Sequence, residues 1–505
     1  MRARRSAAHG VTGAALAFLG RIALPGCAID PTHANRFVLV HKDGYAIGPD
    51  REPLLRTEPQ KAAPVEAFKT VWGNRILEGL DEEFARAHRE GRPLRVKLLL
   101  FVHGGMNTYA HGTKRVAEIL DAVGTGKYRN NLTDEWERAW ALPGYYPLFI
   151  NWNSDLWDSI YDDVAEIRFG ERRSLLLGLP TAPVVLASRL IQGIFSLPSS
   201  MTLELQSGGQ GVDIEPDDTL WKGCRPTLSA RVGNAWRAWN LAGFLAFYPT
   251  RLVSAPVIQG FGAPAWDMMK RRADLVMGPR KSLTQAAEQQ LGGGRLLLEI
   301  LRERIPEENR WKWFRDGPAE PWIETDLEIT LVAHSMGVLV LDRVLEAYSD
   351  VYFHRIVYLG PAASLNDVQG AVWPYLRRHP SAAFWSFSLA ETNEALEPVD
   401  ELDVVSRGSL LVWIDNFFQR INSPGDKTFG RARNIRTYLE VPDDLRQGTS
   451  GQADAGERAR VVLVKFGRSD RDPRHHEHLA TVGILDRALQ MVGSQSCEVR
   501  PVSGP

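Results

Sequence analysis

"LEITLVAHSMGVLVLDRVL" runs from Leu327 to Leu345, and the reading of its middle decides the fold. Leu327 to His334 is a continuous apolar run of strand length, as expected of a parallel strand buried on both faces. From Gly337 onward the pattern becomes that of an amphipathic helix. Ser335 sits between the two, in the context that a nucleophile elbow requires, and Ala333 and Gly337 leave little or no side chain to obstruct a tight turn. A serine capping the helix N-terminus would occupy the same place.

The chain on either side repeats the alternation of strand and helix. Upstream, "RVKLLLFVHGGMNTY" (Arg95 to Tyr109) reads as a buried strand feeding a glycine loop; a helix from about His111 to Gly124 and the strand "YYPLFINW" (Tyr145 to Trp152) complete a βαβ unit. Earlier still, Asn35 to Ile47 reads as a strand with a turn, and Pro64 to Gly91 has helical spacing. Downstream come the strand "HRIVYLGPA" (His354 to Ala362), the helix "NDVQGAVWPYLRRH" and the strand "AAFWSFSLA" (Ala382 to Ala390). "ARVVLVKFG" (Ala459 to Gly467) is the last strand, and a closing helix is expected from about Glu477 to Val492. The fold class is therefore α/β, a doubly wound and mostly parallel sheet.

The alternation stops between 153 and 325. That stretch carries "SLLLGLPTAPVVLASRLIQGIFSLP" (Ser174 to Pro198) and "WNLAGFLAFYPTRLVSAPVIQGFGAPAW" (Trp239 to Trp266). Prolines, glycines and Arg189 or Arg251 interrupt both, so helices packed over a core, or a cap lying on a membrane surface, fit better than a spanning helix. The organisation expected is a leader at 1–27, core at 28–152, an apolar helical cap insertion at 153–325, core at 326–397, an irregular insertion at 398–458 and the end of the core at 459–493.

Composition excludes some classes. The 505 residues hold 60 Lys plus Arg against 61 Asp plus Glu, so no basic excess points to nucleic acid. Three cysteines, Cys27, Cys224 and Cys497, are too few and too scattered for a disulfide scaffold or a zinc site. The start, "MRARRSAAHGVTGAALAFLGRIALPGCA", has the charge and hydropathy order of an export signal, and its "LPGC" resembles the lipobox of bacterial lipoproteins with Cys27 as the lipidated residue. This implies an exported, membrane-anchored protein, and would allow Cys224 and Cys497 to pair; the alternative, a disordered basic N-terminus, leaves the protein in the cytoplasm.

Three further groups could serve Ser335. In "FVHGGMNTY", His103, Gly104 and Gly105 end a strand, and glycines let main-chain N–H groups approach a developing oxyanion. The donors expected are Met336 N–H together with that of Gly105 or Met106. A phosphate cradle is the rival reading, but the Lys-Ser/Thr of a P-loop is missing. In "RSDRDPRHHEHLATVG", one of His475, His476 and His478 would be the base, since a serine hydroxyl needs one that is neutral near pH 7. Adjacent histidines in a loop point apart, which disfavours a metal site. An orienting carboxylate should follow "AAFWSFSLA", where Glu391, Glu394 and Glu397 all lie. Glu394 allows a short turn, Glu391 a tighter one, and Asp400 or Asp403 a longer one.

Taken together, the "HGG" loop, the "AHSMG" elbow, an acid after the penultimate strand and a histidine after the last resemble the α/β-hydrolase superfamily over roughly Arg95 to Asn151 and Thr325 to Val492. "FVHGGMNT", "PLFINWNS" and "VAHSMG" are similar to the esterase/lipase-like hydrolases of poorly defined substrate. The resemblance implies a serine carboxylic-ester hydrolase with Ser335 as nucleophile and, from a "PRxHxxF/L" type stretch, His476 as base. Trp152 and Asn153, with His103 and Gly104, would wall the substrate site. An apolar insertion suits a hydrophobic or lipidic ester, with a membrane surface reached through Cys27 or the cap. No cofactor, metal or nucleic acid is called for. Acyl transfer to another acceptor, and a non-catalytic scaffold of the same fold, are the competing readings.

Overall fold

The computed structural model describes residues 33, 35–48, 68–90, 96–131, 133–168, 171–172, 179–208, 248–278, 292–304, 327–397, 408–445, 460–466 and 472–494. The leader with Cys27, the other two cysteines, and Asp400 and Asp403 lie outside the described residues. Eight strands make one sheet: β1 (Phe37–Val40), β2 (Ala46–Ile47), β3 (Val96–Val102), β4 (Tyr145–Trp152), β5 (Leu327–His334), β6 (Arg355–Leu359), β7 (Ala383–Ser388) and β8 (Val461–Lys465). Their order is β8-β7-β6-β5-β3-β4-β1-β2. All neighbours pair in parallel except β1 and β2, a tight hairpin. Gly44 turns that hairpin at φ +88, where a Cβ would lie 2.1 Å from Leu275 O. The α/β architecture and mostly parallel sheet are those expected from the sequence.

The central strands read as unbroken apolar runs because both faces are covered; Leu98, Leu99, Leu100, Leu331 and Val332 are wholly buried. The covering helices are α1 (Asn74–Arg89), α2 (Tyr109–Thr125), α3 (Leu156–Tyr161), α4 (Ala182–Gly208), α5 (Tyr248–Met277), α6 (Gly293–Arg304), α7 (Gly337–Ala347), α8 (Leu365–Arg378), α9 (Glu391–Leu396) and α10 (Val482–Ser494). Thr108 caps α2, its hydroxyl accepting from His111 N–H, and Gly126 ends that helix in the left-handed region. Ser364 and Asp367 form a capping box on α8.

Parallel pairing gathers the ends of β3, β5 and β6 at one edge of the sheet. Val102 pairs with Ala333, and Leu359 with His334, so the residues that follow each strand meet although they are far apart in sequence.

Two expectations change. The closing helix begins at Val482 instead of near Glu477, because His476–Ala480 forms a short 3₁₀ turn that Thr481 ends in extended backbone. The stretch from 153 to 325 is also not wholly a cap. α4 and α5 pack against each other as a helical pair, whereas α6 packs on β1 and β2 and the α5 chain reaches α7, completing a layer over the sheet. Leu297 and Ile300 of α6 are fully buried there. Glycines let the pair approach closely: a Cβ on Gly193 would lie 2.0 Å from Pro256 O, and one on Gly260 2.5 Å from Arg189 O. Arg189 is held by Asp163 at 2.6 Å, and Arg272 of α5 by Asp162 at 2.5 Å. Burial alone would raise the Asp162 carboxyl, but Arg272 and Lys42 hold it below its usual range.

Candidate active site

Ser335 follows β5 directly and has φ +52, a left-handed conformation that costs a non-glycine residue about 1–3 kcal/mol. The neighbours over-determine it. Ser335 N–H donates to Leu359 O (2.9 Å), and Ser335 O accepts from Ala362 N–H (3.1 Å) and Val338 N–H (3.3 Å). A Cβ on Gly337 would sit 2.5 Å from His103 O, so only glycine lets α7 start this close to the loop after β3. The outcome is a strand, one strained residue and a helix, with the Ser335 hydroxyl 2.9 Å from His476 Nε2. A capping serine would accept from a helix N–H; none bonds to Ser335 Oγ among the described residues, and α7 has no side-chain cap.

Of the three histidines only His476 reaches Ser335. His476 is buried, and that burial holds its ring down to about 4, so it is neutral at pH 7 and able to accept a proton. His475 lies 3.8 Å from Glu397 Oε1, and His478 meets the His475 ring edge-on. The His334 ring lies tilted against that of His476 with ring centroids 5.1 Å apart, and its Nε2 lies 3.2 Å from His476 O. Burial, then the neighbouring His476, keep His334 well below the usual histidine range.

The loop after β3 is fixed by groups that local spacing did not reveal. Gly104 O lies 2.8 Å from His103 Nδ1, 3.0 Å from Asn107 Nδ2 and 3.0 Å from Ser154 Oγ. Because the peptide is planar and trans, drawing the Gly104 carbonyl to one side points Gly105 N–H to the other. Gly105 packs on Met336: a Cβ there would lie 3.1 Å from the methionine Cβ. Among the described residues neither Gly105 N–H nor Met336 N–H has an acceptor. Met106 is different. Its N–H donates to Ser154 O at 2.8 Å, so of the two N–H groups expected from the loop Gly105 is the one left for an oxyanion.

The residues expected to wall the substrate site are held as follows. His103 is buried, with Nδ1 on Gly104 O, and its Nε2 accepts from Trp152 N–H at 3.1 Å; burial holds this ring down to about 4. Trp152 is only 1 % exposed and its indole donates to His103 O. Asn153 bonds to Asp158 and accepts from Asp155 N–H. The polar atoms of His103 and Trp152 meet main-chain groups and Asn151, and those of Asn153 meet Asp155, Asp158 and Arg272; Gly104 lies against His334 and Ser335.

The carboxylates are placed as follows. Glu391 accepts from Arg431 at 2.7 Å, and that arginine is also held by Asp415. Glu394 is wholly buried and accepts from Ser409 Oγ; burial lifts its carboxyl to about 8 despite that bond. Among the described residues its Oε1 has no hydrogen-bond partner, and it makes no hydrogen bond with His476. Glu397, which the spacing gave no reason to prefer, accepts from His476 main-chain N–H at 2.9 Å. Burial raises it to about 7. His476 Nδ1 has no hydrogen-bond partner among the described residues. No family model, curated protein or solved structure matches the chain.

Proposed function

We propose that the chain is a serine hydrolase of the α/β-hydrolase type, cleaving a carboxylic ester of a hydrophobic or lipidic substrate. The observation that carries the reading is Ser335, held at φ +52 between strand and helix with its hydroxyl 2.9 Å from a buried neutral histidine. The eight-stranded order with one antiparallel edge strand supports it. Ser335 Oγ attacks the ester carbonyl carbon while His476 Nε2 takes its proton. The carbonyl oxygen becomes an oxyanion facing Gly105 and Met336 N–H. His476 then gives the proton to the departing alkoxide, and the C–O bond to it breaks. Water, deprotonated by the same ring, releases the acid and restores Ser335. A fluorophosphonate probe is expected to label the folded protein at Ser335, and p-nitrophenyl acyl esters to be hydrolysed; folded protein that stays unlabelled contradicts the reading.

Gly104 gives a sharper test of the oxyanion loop. A Cβ there would lie 2.6 Å from His334 Nδ1 and 2.8 Å from Ser335 Cβ, so Gly104→Ala must displace the loop, the serine or the His334 ring. Shifts of about 1 Å at a reacting centre cost about 10²-fold, and a loss of that order in kcat is expected with little change in melting temperature. An unchanged kcat would remove this loop from the chemistry.

The α4–α5 pair supports a membrane-surface location. Val184, Ile191 and Phe195 share one face of α4, with Val253 and Val257 on α5; Phe195 is 81 % and Val253 76 % exposed. The single charge between Ala182 and Thr202, Arg189, is turned inward to Asp163. Between Thr219 and Trp266 the chain has Lys222, Arg225, Arg231, Arg237 and Arg251 and no acidic residue, which matches an anionic surface. Among the described residues no helix is long and apolar enough to cross a membrane. Burying a large apolar side chain contributes about 1.5–3 kcal/mol, so Ile191→Asp with Phe195→Asp should weaken sedimentation with phosphatidylglycerol vesicles at least about tenfold. Equal binding by the double variant would sink the idea.

A further inference from the structure

Resting on the hydrolase reading, we infer that Glu397 and His334 are positioning residues that hold the base His476 through its main chain. His476 sits in a short 3₁₀ turn, outside any long helix or strand, yet its ring must stay 2.9 Å from Ser335 Oγ. A carboxylate on the far ring nitrogen would do this in a triad. Among the described residues nothing bonds to that nitrogen, and a Cβ on Gly360 would lie only 2.9 Å from the ring Cε1 and 3.2 Å from Nδ1. The main chain of His476 is gripped at both of its polar groups. Its N–H donates to Glu397 Oε2 at 2.9 Å, and its C=O accepts from His334 Nε2 at 3.2 Å.

These two contacts come from different elements. Glu397 directly follows α9, which β7 leads into, and His334 is the last residue of β5. Consecutive residues of one strand end therefore carry the grip on the base and the nucleophile that it serves, which ties the distance between them to the sheet. The role also fixes the His334 tautomer: Nε2 must carry the proton to donate, leaving Nδ1, which is buried and without a hydrogen-bond partner among the described residues, unprotonated. The Glu397 carboxyl faces His475, with Glu394 and Glu477 the other charged groups nearby. Accepting an N–H needs an oxygen and not a negative charge, so an amide can replace the carboxylate.

The test compares E397A, E397Q and H334F with the wild type by fluorophosphonate labelling rate, kcat and KM on one p-nitrophenyl ester, and hydrogen exchange of the peptide spanning residues 472–481. E397A and H334F are expected to lose about 10- to 100-fold in labelling rate and kcat at unchanged KM, the scale of a misplaced catalytic group. E397Q should restore most of what E397A loses. The His476 amide should be protected in wild type and E397Q and exchange faster in E397A, with melting temperatures alike. If E397Q is as slow as E397A, the charge is what matters and Glu397 is a triad acid, which overturns the inference. Wild-type kcat and exchange in E397A overturn it equally. Should the wild type fail to label, the hydrolase reading falls, while the exchange comparison still decides whether Glu397 holds the loop.

Discussion

Ser335→Ala is expected to abolish fluorophosphonate labelling and to lower ester hydrolysis by about 10⁴-fold or more, the scale seen when the nucleophile of a cooperating set is removed. Substrate binding should survive, because the change deletes one oxygen and leaves the surrounding backbone untouched. The fold should survive too, since the main-chain bonds of Ser335 to Leu359, Ala362 and Val338 do not involve its side chain. Ser335→Gly separates chemistry from strain. It should be just as inactive but more stable by about 1 kcal/mol, because glycine adopts φ +52 at little cost. Melting curves of the two variants check this. A Ser335→Ala protein that still turns over its ester would refute the assignment of the nucleophile.

Loss of the base should be nearly as severe. His476→Ala is expected to cost about 10⁴-fold in kcat, since among the described residues His476 is the group hydrogen-bonded to the serine hydroxyl. The wild-type pH profile gives a finer test. Only the neutral ring can accept the proton, and burial keeps His476 neutral until the pH falls to about 4. kcat/KM should therefore hold as the pH falls through 6.5, where an exposed histidine would already be half protonated, and decline with a midpoint near 4. A decline centred at 6.5 would show that the ring is solvated during turnover. His103 and His334 are also held neutral by burial, so protonated imidazoles add no positive charge beside the base in this range.

The residues at the sheet edge divide into those legible from local pattern and those that were not. The strand Leu327–His334 and the helix after it were readable because burial on both faces and helical periodicity each leave a mark within a dozen residues. The HGG loop was readable because close approach demands glycine: a Cβ on Gly104 would lie 2.6 Å from His334 Nδ1, and one on Gly337, which faces the loop, 2.5 Å from His103 O. Asn107 and Ser154 left no such mark. They orient the loop by reaching across from its far end and from another strand's end, and any polar residue could have stood there in the sequence.

What the sequence by itself determined was the order of strands and helices and the position of Ser335 at a strand-to-helix turn, because both follow from the spacing of apolar and small residues. Tertiary structure alone decided that among the described residues Met106 N–H is bonded and Gly105 N–H is not, and that Glu397 bonds to the main chain of His476 while Glu394 turns to Ser409; it also brings His476, which the resemblance had implied, beside Ser335. The physical reason is that a buried polar group must find a partner wherever the fold brings one. Which partner is adjacent depends on parallel register at the sheet edge, where β3, β5, β6 and β7 end side by side, and that adjacency is not written into any single stretch of chain.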